Sequence, residues 1–138
     1  MAGKPLGVSL EEARKVIHAG QKKADEIGVP MNIAVVDAGA NLVAFERQEG
    51  AWIGSIDIAQ KKAFTSRAFD IETKTLGENS QSGDQFFGIH ASNNGKVMIF
   101  AGGIPLKRGD QVVGAVGVSG GLGAQDQAVA EAAAKAFA

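Results

Sequence analysis

Hydrophobic positions recur with two periods along this chain, and the changes of period mark its elements. Leu10, Ala13, Ile17, Gly20 and Ala24 return at about 100° per residue, the spacing of one helix face. Ser9-Leu10-Glu11-Glu12 supplies a capping box in front of them, and Gly28 with Pro30 ends the run. Met31 to Val36 reads as a buried strand, residues 37–41 as a turn, and Leu42 to Arg47 as the returning strand of a hairpin. A second helix is predicted from near Trp52 or Ser55 to Phe69. Its main apolar face is Trp52, Ile56, Ala59 and Ala63, with Ile53, Ile58 and Phe64 widening the arc.

The middle of the chain is weakly patterned. Thr73 to Leu76 suits a helical turn ended by Gly77, Phe86 to His90 a short strand or turn, and Asn93-Asn94-Gly95 a turn. Val97 to Phe100 then reads as a strand broken by Gly102-Gly103 and resumed at Ile104 to Leu106. Lys107 to Asp110 is a tight turn, Gln111 to Val118 a long apolar strand, and Gln125 to Phe137 an alanine-rich helix. Tight turns between neighbouring strands make the sheet mostly antiparallel, with helices over it: an α+β domain spanning residues 1–138.

Composition narrows the chemistry. The 138 residues carry 14 Lys+Arg against 15 Asp+Glu, a net charge of -1, which disfavours nucleic acid as a partner. No cysteine is present, so disulfides, thiolate metal sites and cysteine nucleophiles are excluded. No apolar run approaches the roughly 20 residues that span a membrane, and the first seven residues lack a signal-like apolar core, so a cytoplasmic location is expected.

Two histidines are the candidate metal ligands. Arg14, His18 and Lys22 share one helical stripe at i, i+4 and i+8. Two flanking cations disfavour protonation of the imidazole, and iron ligation requires it neutral. The cations also suit the carboxylates of a porphyrin. A solvated helix face with a surface histidine meets the same spacing. His90 follows Phe86-Phe87-Gly88-Ile89 and reads as a half-buried histidine or the alternative ligand. The run Gly114-Ala115-Val116-Gly117-Val118-Ser119-Gly120-Gly121-Leu122-Gly123 leads from strand to helix, where free amides suit an anion, though tight packing explains it as well. It matches neither a phosphate-binding P-loop nor a nucleophile elbow. Asp37, Glu46, Asp57, Asp70, Asp84, Asp110 and Asp126 are scattered, with no paired spacing for acid–base work.

Asp57-x-Ala59-x-x-Lys62-Ala63-x-Thr65, Gly102-Gly103-Ile104-Pro105-Leu106 and the Gly114 to Gly120 run together resemble the GlcG/HbpS-like family, which includes the C-terminal domain of PduO-type adenosyltransferases. The resemblance covers nearly the whole chain. It implies a profilin-like antiparallel sheet with packed helices, and homo-oligomers: dimers, tetramers or octamers. It implies haem as cofactor in several members, with a first-helix histidine as ligand at a position comparable to His18, and it carries Lys62 over as a family position. Corrinoid adenosylation is not implied.

Three functional readings follow. The first is a haem-binding carrier, sensor or accessory protein using His18, Arg14 and Lys22 near a subunit interface. The second is an enzyme or binder for a small carboxylate-bearing ligand, in a cleft formed by Arg47, Lys62, Gly102, Gly103, Ser119 and Gly120, with Arg47 and Lys62 clamping the carboxylate. The third is a ligand-free scaffold. No catalytic constellation is evident, which disfavours an enzyme.

Overall fold

The computed structural model describes residues 7–137. The terminal residues 1–6, on which the absence of a signal-like segment was read, lie outside that range. The chain runs α1 (Leu10–Ile27), β1 (Asn32–Val36), β2 (Leu42–Arg47), α2 (Gly54–Phe69), α3 (Thr73–Glu78), β3 (Gly103–Arg108), β4 (Gln111–Ser119) and α4 (Gly123–Lys135). The four strands form one antiparallel sheet in the order β2-β1-β4-β3. The α+β architecture expected from the sequence is present.

Each element forms for a local reason. The Ser9 hydroxyl accepts the Glu12 amide at 3.1 Å, and the Glu12 carboxylate accepts the Ser9 amide at 2.9 Å. Gly28 closes α1 in the left-handed conformation at φ 72°. The residues of β1 alternate between the two faces of the sheet. Ile33 and Val35 join Val116 and Val118 in a core beneath α1 and α4, with Val16, Ile17 and Val129 above them. Ala34, Val36 and Ala115 meet Ala59 and Ala63 of α2 on the opposite face. Helices thus cover both faces, with a large-residue core on one side and a small-residue seam on the other.

The small residues set how closely α2 lies on the sheet. A Cβ on Gly117 would press on the Ala59 carbonyl and lie 2.5 Å from the Ala63 amide nitrogen. The buried residues of α2 are Ser55, Ala59, Lys62, Ala63, Thr65 and Ser66. This differs from the predicted face. Trp52 and Ile53 precede the helix and are exposed, and a lysine occupies the buried stripe.

The predicted strand at Val97 to Phe100 is absent from the sheet. Left-handed backbone at Asn93, Asn94 and Gly95 turns the chain away. The Thr65 hydroxyl then accepts the Met98 amide at 2.9 Å, a side-chain contact where a strand would have used a ladder. Phe86 to His90 is turn, with a single 3₁₀ turn at Ile89–Ala91. Gly77, predicted to end the short helix, lies inside α3, where its missing side chain lets the Ile99 carbonyl pack against it.

Candidate functional site

Two places in the fold carry candidate chemistry. The first is the outer face of α1. His18, Arg14 and Lys22 are all exposed there, and the His18 side chain is 63% accessible. The structure adds Glu46 of β2, whose carboxylate lies 3.9 Å from His18 Nε2. Gln21 holds the other oxygen of Glu46 through its amide at 2.7 Å. The imidazole therefore faces a fixed carboxylate as well as the two cations read from the sequence. At 3.9 Å the contact is one of charge proximity and not a hydrogen bond. In the sequence Glu46 is one of the scattered acids; only the pairing of β2 with β1 and the packing of both against α1 bring it to His18.

The second place is a cavity of about 560 Å³ between α2, α3, the 99–101 segment and the start of α4. At its floor Lys62 Nζ donates to Asp126 Oδ2 and to the Val118 carbonyl, both at 2.8 Å. Asp126 Oδ1 accepts the Gly121 amide at 2.9 Å. Lys62 is 1% exposed and Asp126 4%. Burial pulls the Lys62 ammonium below the ordinary lysine range and pushes the Asp126 carboxyl up, while their mutual attraction opposes both shifts. Lys62 is on the buried stripe of α2 because it lies three residues after Ala59, and a lysine on such a stripe requires an acceptor. That was the signal in the sequence for a partner; the partner itself, 64 residues away, was not legible there.

Other expected site residues are dispersed. Arg47 is exposed at the end of β2 and is not among the residues lining this cavity, so the structure does not bring it to Lys62 as a carboxylate clamp. Gly102 and Gly103 are buried packing positions. Gly102 has φ +122°, and a Cβ there would lie 2.5 Å from the Val118 carbonyl and 3.0 Å from Lys62 Nζ. Ser119 does line the cavity, whereas a side chain on Gly120 would meet the Pro30 carbonyl at 2.6 Å. Two of the amides expected to hold an anion are engaged within the chain: Gly121 by Asp126, and Leu122 by the Gln125 side chain at 2.8 Å. His90 is exposed rather than half-buried. No group of three or more His, Cys, Asp or Glu placed to hold a metal ion occurs among the described residues, and no helix of the described residues is long and apolar enough to cross a membrane.

Known proteins share this fold. A solved structure of the Klebsiella pneumoniae protein ORFY superposes with a TM-score of 0.93 at 34% identity, covering 99% of this chain and 94% of that one. The PduOC–haem complex superposes with a TM-score of 0.89 at 31% identity, covering 93% of each chain. An uncharacterised 15.0 kDa protein of Citrobacter freundii is 37% identical over 130 residues, 94% of this chain and 92% of that protein. The family described as haem degrading protein HbpS-like matches residues 8–135. On the match of that whole span, the chain belongs to the HbpS-like family.

Proposed function

We propose that this protein binds haem on the outer face of α1, with His18 as the iron ligand and Arg14 and Lys22 as partners of the propionates. The observation that carries this reading is the exposed His18 imidazole between two exposed cations on one helical stripe. The similarity to the PduOC–haem complex independently supports haem as the ligand. The donor set fits the group: a histidine nitrogen suits haem iron, and Arg14 and Lys22 match the two carboxylates of a porphyrin. Bound haem would supply a redox-active iron. The protein's own residues do the rest: His18 supplies the ligand nitrogen, with Glu46 close to the ring, and the cations fix the macrocycle's edge. Lys62 has no part in this site, because α2 lies on the opposite face of the sheet from α1. Around His18 a single chain offers little apolar cover, so a second copy of the chain is inferred to complete the site in a homo-oligomer.

The test is a haemin titration followed by absorbance. Wild type should show a saturating Soret shift that His18→Ala abolishes. Arg14→Gln with Lys22→Gln should weaken affinity several-fold without abolishing the shift. A His18→Ala protein that titrates like wild type overturns the assignment, and loss of the shift in His90→Ala alone would move the ligand there.

A further inference from the structure

The cavity above Lys62 and Asp126 has features that haem binding at α1 does not use. Its volume of about 560 Å³ falls in the range of roughly 300–1,000 Å³ typical of small-molecule sites. Trp52, Ile58, Ile99 and Phe100 contribute apolar wall. Trp52 is 60% exposed and Phe100 58%, so two aromatic surfaces meet water at its edge.

The buried polar groups at its floor are mostly donors, while the exposed Lys74 and Glu78 stand at its rim with opposite charges. Lys62 uses two of its three N–H groups on Val118 and Asp126, and the third has no acceptor among the described residues. The hydroxyls of Ser55 and Ser119, residues 3% and 4% exposed, also line the cavity. The carboxylate of Asp126 is already engaged on both oxygens. A complementary head group must therefore accept hydrogen bonds. Just ahead of α4, the amides of Gly121 and Leu122 are taken by Asp126 and Gln125, which leaves less of a cradle for a phosphate. The Lys62 charge is balanced by Asp126, so the floor does not demand a strong anion.

We propose that this cavity is a second ligand site, separate from the His18 face, for a small molecule with a flat apolar body and a carbonyl or carboxylate oxygen at one end. The aromatic walls take the body, and Lys62, Ser55 and Ser119 donate to the oxygen.

Trp52 is the only tryptophan and the chain has no tyrosine, so intrinsic emission reports directly on this cavity. The full chain is titrated with benzamide, benzoate, toluene and inorganic phosphate. Benzamide or benzoate should change Trp52 emission saturably, with at least threefold tighter apparent binding than toluene. A response to benzoate alone would show that the Lys62 charge is read, and a response to both that the oxygen is enough; either supports the site. Ser55→Ala with Ser119→Ala should weaken binding at least threefold. Gly123→Phe should block it. A Cβ at Gly123 meets only the Ala101 methyl, at 3.8 Å, so the backbone there has room for a side chain, and thermal melting checks that the variant folds. His18→Ala should retain the response, which separates this test from the haem reading. No saturable change with benzamide or benzoate, an equal response to toluene or phosphate, or unaltered binding in Gly123→Phe overturns the proposal.

Discussion

Lys62 and Asp126 show how a single pair can govern a region. Removing one partner leaves a buried charge unpaired, which typically costs about 3–5 kcal/mol. Lys62→Met and Asp126→Asn should each lower stability by about that much in urea melts. The double variant Lys62→Met with Asp126→Leu should recover part of the loss, since an apolar pair removes the desolvation cost along with the attraction, while the Val118 carbonyl and the Gly121 amide lose their partners. A double variant no more stable than either single one would contradict this. Glu12 behaves differently. Arg108 binds its carboxylate through two N–H groups at 2.7 and 2.8 Å and holds its pKa down to about 2. A depressed carboxylate contributes its stability above the ordinary carboxylate pKa and loses it as pH falls toward the folded value. Wild type should therefore lose more stability than Arg108→Gln between pH 5 and about pH 2; equal losses in the two would show that the contact contributes nothing. Part of the residue-level chemistry was legible in the sequence. The Ser9–Glu12 box and the exposed Arg14, His18 and Lys22 stripe follow from local spacing alone. Glu46 beside His18 and Asp126 beside Lys62 depend on strand pairing and helix docking between distant segments, which local spacing does not contain.

Helix α2 is held by absence of side chain rather than by greasy contact. Gly117 and the alanines facing it let the helix backbone settle onto β4. Gly117→Ala should destabilise by about 1–3 kcal/mol, because the atoms in the way are backbone and cannot turn aside. Chemical denaturation measures this, and a neutral result would mean that α2 lifts without penalty. Ser9→Ala should cost about 1 kcal/mol by uncapping α1, measured in the same way. The strands with strict alternation or long apolar runs were readable because one or both of their faces are buried. The segment after Asn93 was not. Val97 to Phe100 has strand-like composition, yet Thr65 takes up its backbone before any strand can, and the left-handed turn ahead of it sets the direction. The apolar face of α2 was misplaced for a related reason: Lys62 is buried there, while Trp52 and Ile53 stand outside the helix.

At the scale of the whole molecule, a single chain exposes much apolar surface. Ile53 is 75% exposed, Leu122 71%, Phe87 65% and Trp52 60%. Static light scattering at micromolar concentration should report a mass well above the 14.2 kDa of one chain. A purely monomeric solution would remove the second copy from the proposed haem site. Fold class was the most legible property, since helix and strand periods alternate clearly at both ends of the chain. The sheet also has two unequal rims. Pro105 lies in β3, the outermost strand on one side, and lacks an N–H, while Lys107 and Arg108 project charge from the same strand. Such a rim resists further strand pairing. At the other rim, β2 has no proline and carries the half-exposed Leu42. If copies of this chain ever join their sheets into one, the seam must run along β2. Amide hydrogen exchange would then slow along the outward side of Leu42–Arg47 on assembly and stay unchanged along Gly103–Arg108.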